Sequence, residues 1–196
     1  NSTITWDWNI TGLPPGFPTN PTISSSQNTY VCFPDNQSGT NVVYTVELII
    51  EDTYGCKDTA IQNIIIYTRP VAGFSIVDTG CGQVSYIPAN TSQFSTSWLW
   101  TVTSTGFPAV VVTPTDFEPT ITFPENTTTT AIIYTIELLS TSVDSCTDYT
   151  SNTVTIYPTP LVNFNASNTI GCGPLTVNFT NTSDPYNGED TTSMTF

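Results

Sequence analysis

The chain has 196 residues, 38% hydrophobic and 12% aromatic, enough for packed cores, so global disorder is excluded. Only 9% of residues are charged, and 16 Asp and Glu against 2 Lys and Arg set a formal net charge of −14, which repels nucleic acid and anionic lipid and excludes phosphate recognition by basic side chains. The chain holds no histidine, which removes the commonest general base and most zinc or copper sites.

In chain order, Trp6-Asp7-Trp8 opens the first strand signal. Its two indoles fall on one face, because side chains at i and i+2 do so in a strand, and a core role is expected for them. Tyr44, Val46, Leu48 and Ile50 alternate with Thr45, Glu47 and Ile49, as in a strand with one face in a core. Glu51, Asp52 and Asp58 crowd the strand end and the loop after it. Ile64-Ile65-Ile66-Tyr67 reads as a final strand, and Arg69-Pro70 follows it as a short joint. No helical periodicity is sustained anywhere in the chain.

About ninety residues on, the same text returns. Trp98-Leu99-Trp100 answers the first tryptophan pair, Phe123-Pro124 answers Phe33-Pro34, and Tyr134-Thr135-Ile136-Glu137-Leu138-Leu139 answers Tyr44-Thr45-Val46-Glu47-Leu48-Ile49. Cys146 stands for Cys56, Thr153-Val154-Thr155-Ile156-Tyr157 is the next final strand, and Pro160 stands for Pro70. The pattern then restarts: Pro160-Leu161-Val162-Asn163-Phe164 follows Pro70-Val71-Ala72-Gly73-Phe74, and Ile170-Gly171-Cys172-Gly173 follows Thr79-Gly80-Cys81-Gly82. Leu175, Val177 and Phe179 read as an early strand.

A period near ninety is too long for a solenoid and suits tandem small domains. The expected division is residues 1–69, a domain lacking its N-terminal part; 70–159, a complete domain; and 160–196, the N-terminal part of a third. The two flanking pieces together amount to about one domain, which leaves open that one chain completes its neighbour. Short proline joints favour stiff, extended arrays. The predicted fold class is all-β, tandem immunoglobulin-like β-sandwiches.

Tyr44-Thr45-Val46-Glu47-Leu48-Ile49-Ile50-Glu51-Asp52-Thr53-Tyr54-Gly55-Cys56 resembles the "YTVxLxVxDxxGC" segment of polycystic-kidney-disease (PKD) domains. Gly173-Pro174-Leu175-Thr176-Val177-Asn178-Phe179-Thr180-Asn181-Thr182-Ser183 resembles their "GxxPLTVxFxNxS" opening. Trp6-Asp7-Trp8-Asn9-Ile10-Thr11-Gly12-Leu13-Pro14-Pro15-Gly16 departs from the usual "WDFGDG" turn and is similar to the "WxWxITGxPxG" of PKD-like repeats in very long Bacteroidota surface proteins, those associated with gliding motility and type IX secretion. The resemblance implies an extracellular role on a bacterial cell surface, as adhesin, stalk or spacer, with other copies or segments of the repeat protein as partners and no chemistry.

The middle repeat contains two cysteines, Cys81 and Cys146, and a disulfide between them is predicted. It would close a loop of about 65 residues, worth ~4 kcal/mol in the chain-entropy model. Cys56 and Cys172 would have partners in repeats not complete here. Cys32 aligns with Thr122 and is expected to be a free, buried thiol, with pairing to Cys56 left open.

Paired carboxylates among Glu51, Asp52 and Asp58 admit a glycosidase or calcium reading. The second repeat has Thr141, Ser142 and Asp148 in their places, so a solvated acidic loop is expected, with no metal, no cofactor and no enzymatic activity. Lys57 is a poor crosslink candidate. The resemblance also implies O-glycans at Asp-Ser/Thr motifs, here at Thr59 and Thr191, both expected in loops. Asn-x-Ser/Thr sequons at Asn1, Asn9, Asn36, Asn90, Asn126, Asn165, Asn178 and Asn181 are what an Asn-, Ser- and Thr-rich chain generates by chance. Two functional readings stand: a structural spacer of a large adhesin or surface filament, and an ancillary polysaccharide-binding module array of a secreted hydrolase, for which surface glycans would be the partners.

Overall fold

The computed structural model describes residues 4–12, 25–104 and 116–184, and every regular element among them is a strand. These are β1 (Thr5–Thr11), β2 (Val42–Glu51), β3 (Lys57–Ile66), β4 (Phe74–Ser75), β5 (Thr79–Cys81), β6 (Val84–Tyr86), β7 (Ala89–Asn90), β8 (Ser97–Ser104), β9 (Ile121–Phe123), β10 (Ile132–Thr141), β11 (Thr147–Tyr157), β12 (Phe164–Ala166) and β13 (Phe179–Asn181). The chain is all-β, consistent with β-sandwich architecture. It divides into two compact units: unit 1 is Asn1–Ala72 with Ser92–Ser97 and Ser140–Asp148, and unit 2 is Gly73–Thr91 with Trp98–Leu139 and Tyr149–Phe196.

Unit 2 contains the packed core. Its main sheet has the order β5-β11-β10-β8, and alternation decides which side chains turn inward: Ile132, Tyr134, Ile136 and Leu138 of β10 are buried, while Ile133, Glu137 and Leu139 face water. Trp100 and Val102 of β8 and Val154 and Ile156 of β11 join the same face. The pairs β4–β7 and β6–β9 supply the second layer: Phe74, Ile121 and Phe123 complete the cluster, and Ile76, Val84, Tyr86 and Trp98 pack against it. Phe74 meets Trp100 edge-on at 5.0 Å and Phe123 meets Tyr134 at 5.1 Å, contacts worth about 0.5–1.5 kcal/mol each beyond area burial.

Unit 1 holds the antiparallel sheet β1-β2-β3. Trp6, Trp8 and Ile10 of β1 lie opposite Ile50, Leu48 and Val46 of β2, and β3 runs beside β2 from Glu51↔Lys57 to Val42↔Ile66.

The two units repeat the same polar devices. Asn126 is fully buried and its amide is saturated: Nδ2 donates to the carbonyls of Thr130 (2.8 Å) and Ile156 (2.9 Å), and Oδ1 accepts from the N–H (3.0 Å) and hydroxyl (2.7 Å) of Thr128. Asn36 does the same with Thr40, Ile66 and Ser38. The backbone carbonyl of each accepts the N–H of a residue just past the final strand, Thr159 for Asn126 and Arg69 for Asn36. A loop that crosses from one layer to the other is thus tied to a strand end by an amide with no unused donor or acceptor, which is why it tolerates burial.

The hairpin turns also correspond. Asp52 Oδ1 accepts the N–H of Cys56 at 2.9 Å, and Ser142 Oγ accepts that of Cys146 at 3.2 Å. Gly55 takes φ +82° in the first turn, and Ser145 is held at φ +67° in the second.

Three strand expectations change. β3 begins at Lys57 rather than near Ile64 and ends at Ile66. β11 begins at Thr147 rather than near Thr153, because the polar half of the strand, with Asp148, Thr150 and Asn152, carries no apolar alternation to read. The early strand expected over Leu175–Phe179 begins only at Phe179, where the chain pairs with the three-residue β12; Leu175 and Val177 precede it.

Asn126→Ala is expected to lower the unfolding free energy by about 2 kcal/mol, since it orphans the buried Ile156 carbonyl and the partly buried Thr130 carbonyl and Thr128 N–H. Asn126→Asp should cost at least as much, because a carboxylate cannot donate to those carbonyls. Urea denaturation followed by tryptophan fluorescence reads both, and a loss below about 1 kcal/mol contradicts the role assigned to the amide. Ser145→Gly, which relieves a left-handed serine, is expected to raise stability by about 0.5–1 kcal/mol in the same assay.

Candidate functional site

Among the described residues, the apolar sheet face of unit 1 is less fully covered than that of unit 2. Val154 in β11 is 0% exposed, while Ile64, at the same place in β3, is 36% exposed. Trp100 and Val102 are buried in β8, whereas Trp8 and Ile10 in β1 are only half-buried; Val46 and Leu48 are half-buried where Ile136 and Leu138 are sealed. One strip of this face is covered by the segment at Thr29–Phe33. Phe33 packs on Tyr44 at 4.8 Å, as Phe123 does on Tyr134, and Trp8 Nε1 donates to the Ser26 carbonyl at 3.1 Å, as Trp100 Nε1 does to that of Asp116 at 3.0 Å. What remains beside that strip is an apolar pocket of about 170 Å³ between Trp8, Ile10, Val46, Ile64, Val31 and Phe33.

Among the described residues, β3 is the edge of its sheet, whereas β11 carries β5 in parallel on the corresponding edge. The backbone groups of β3 that point away from β2 run beside exposed Ile61 and Ile65, the kind of edge that can template another strand.

A second cluster in unit 1 is electrostatic. Arg69 donates through Nη1 to Asp35 (2.8 Å) and through Nη2 to Asp148 (2.6 Å), and the other oxygen of Asp148 accepts the Ala72 N–H at 2.9 Å. The hydrogen bond and charge of Asp148, then the charge of Asp35, raise the guanidinium pKa above its ordinary value. A planar fork reaches two carboxylates at once, which a lysine cannot copy. Nearby, the Phe94 ring (φ +58° at its backbone) lies against Gly39, where a Cβ would stand 2.6 Å from Phe94 Cε1. Both features hold residues 92–97 and 140–148 to the segment around β3. In unit 2, burial pushes the Tyr134 phenol above its ordinary range.

The residues singled out from sequence are placed as follows. The Cys81–Cys146 disulfide is not formed, both being free thiols. β5 pairs with β11 so that Cys81 is opposite Tyr157, while Cys146 precedes Thr147, the first residue of β11. At about 3.3 Å per residue the strand holds them tens of ångströms apart, against the ~7 Å limit for a bridge. Cys32 is exposed, where a buried thiol was expected.

The acids serve local structure. Glu51 pairs with Lys57 at 3.3 Å, Asp52 caps the turn through the N–H groups of Tyr54 and Cys56, and Asp58 accepts the Thr59 N–H. Thr59 is exposed, but in β3 opposite Ile49 rather than in a loop; Thr191 and Asn1 lie outside the described residues. Asn36, Asn90 and Asn126 are buried with Nδ2 committed to carbonyls, so the folded chain cannot present those sequons for N-glycosylation. Sequence reading singled out neither Arg69 as a clamp nor the open face. Arg69 was legible as one of two cations next to a joint, and the face only by comparing the repeats position by position.

Compared with protein-family models and with curated proteins, the chain matches none. No helix among the described residues is long and apolar enough to cross a membrane.

All 5 cysteines are expected to alkylate without prior reduction in protein purified without reductant, the half-buried Cys146 more slowly than the exposed four. A Cys81–Cys146 linked peptide in the non-reducing digest contradicts the register described above.

Proposed function

We propose that this chain is a structural segment of a large extracellular repeat protein, an adhesin or filament of a bacterial cell surface. In this reading it is built from tandem immunoglobulin-like, PKD-like sandwiches, with residues 70–159 forming one domain and residues 1–69 and 160–196 belonging to its neighbours. The reading assigns the chain no chemistry: it supplies length and mechanical continuity, and its partners are further copies of the same repeat.

The observation that carries the reading is recurrence of polar detail. The saturated amides of Asn36 and Asn126, with their Ser38 and Thr128 partners, stand ninety positions apart and make the same bonds. Apolar alternation alone recurs in any β protein, but two copies of one four-bond tie, together with matching Trp Nε1 bonds and turn caps, argue for one domain design used repeatedly. The resemblance to PKD-like surface repeats supplies the compartment and the class of parent protein. The alternative, a polysaccharide-binding module, loses its most obvious platform, since Trp100 is 3% exposed and Trp98 packs on Phe117 at 4.9 Å.

Single-molecule stretching tests the proposal. A sandwich of about ninety residues is expected to rupture in one step and to release roughly 300 Å of contour length, at ~3.3–3.6 Å per residue. Calorimetric titration with soluble polysaccharides is expected to give no saturable heat. Gradual lengthening without a rupture step contradicts the load-bearing reading, and saturable glycan binding favours the alternative.

A further inference from the structure

The joint between the first and second repeats lies within unit 1 and is held both by backbone and by side chains. Val71 and Gln93 exchange two main-chain hydrogen bonds, at 3.0 and 2.9 Å, and in unit 2 Leu161 and Asp184 do the same at 2.8 Å. The backbone bridge recurs; the side chains around it do not. At the first joint the Phe94 ring fills the space that a Cβ on Gly39 would need, with ring atoms 2.6, 3.0 and 3.2 Å from that position. Gly39 is at φ +84° and Phe94 at φ +58°, and a bulky residue keeps such a backbone only where its surroundings fix it. Arg69 of the first repeat then takes Asp148 of the second, whose other oxygen accepts the Ala72 N–H.

The next joint carries other residues at these positions. Counted from the buried amides Asn36 and Asn126, which make the same bonds, Thr129 stands for Gly39, Thr159 for Arg69 and Glu125 for Asp35. Counted from the bridges, Pro185, which lies outside the described residues, follows Asp184 in the sequence as Phe94 follows Gln93. The residue that leaves room and the residue that fills it thus change together: Gly39 goes with Phe94, and Thr129 with Pro185. A β-branched threonine in the place of Gly39 cannot lie under the Phe94 ring.

We infer that the joints are keyed, and that Gly39 and Arg69 at the end of the first repeat decide which repeat it accepts as its successor, an inference that rests on the repeat reading proposed above. The successor they fit carries an aromatic ring at the position of Phe94 and a carboxylate at that of Asp148. A repeat that ends as the second does, with Thr129 and Thr159, rejects this successor on two counts. Its threonine side chain meets the ring, and no guanidinium answers the carboxylate in a chain that already bears −14. Exclusion of the wrong neighbour is what gives such a contact its specificity. The backbone bridge alone is indifferent to which repeat follows, so the order of the repeats is set by these side chains.

Residue-resolved amide exchange on the full chain tests this, with the Ala72 N–H, bound to Asp148, and the Gln93 N–H, bound to Val71, as reporters of the joint. The triple variant Asp35→Glu, Gly39→Thr, Arg69→Thr gives the first repeat the end of the second. It is expected to speed exchange at Ala72 and Gln93 by about tenfold or more while leaving Ile136 and Leu138 of β10 unchanged. Gly39→Ala alone is expected to speed exchange at Gln93, whereas Gly39→Ala added to Phe94→Gly is expected to change nothing further, because the new methyl then meets no ring. Gly39 and Phe94 are both exposed, so this pair decides the matter even where the triple variant unfolds unit 1. Unchanged exchange in the folded triple variant, or effects of Gly39→Ala and Phe94→Gly that simply add, overturns the inference. Either result in a chain that still ruptures in one step on stretching removes the keyed joint and leaves the repeat reading in place.

Discussion

An antiparallel sheet with one apolar face must have something laid over it, and most of this structure follows from how far that demand is met. In unit 2 it is met within the unit: β4–β7 and β6–β9 close over β8, β10 and β11, and Tyr134, Ile136, Leu138, Val154 and Ile156 are sealed. Each such side chain removed from water stabilises by about 1.5–3 kcal/mol. In unit 1 the corresponding residues of β1, β2 and β3 form the same sheet under a partial cover. Ile64, Val46 and Ile10 are less buried there than their counterparts, so each contributes less.

Apolar pattern explains the layers, but the polar ties set the connections between them. A loop entering a core brings backbone groups that must find partners, and Asn36 and Asn126 meet that need with one side chain each. Arg69 plays a comparable part for charge: in a chain bearing −14 it gathers Asp35 and Asp148, two groups that would otherwise repel, and fixes the segments that carry them. Thr159, ninety positions on, has no such reach. The repeats therefore share their internal fastening but differ in how the residues after the final strand are held.

The all-β class, the strand positions of β2 and β10 and the ninety-residue recurrence were legible in the sequence because they rest on alternation and on repeated text. What escaped it depended on partners far along the chain. Asn36 and Asn126 read only as chance sequons, since nothing local reveals that each amide is consumed by carbonyls four and thirty residues away. Two cysteines in one repeat suggested a staple, but pairing is decided by register, and β11 holds Cys81 and Cys146 at its two ends. Thr59 read as loop because Asp58 and Lys57 mask the start of β3, an edge strand that needs no apolar alternation once it leaves the core. The open face could be seen only by setting the burial of one repeat beside the other.

The central claim is that, among the described residues, the sheet of unit 1 is less fully covered than that of unit 2. Amide hydrogen exchange tests it most directly. The account predicts that amides of β10 and β11 exchange slowly, while those of Ile61–Ile66 in β3 exchange about 100-fold faster. Equal protection of β3 and β11 would contradict it.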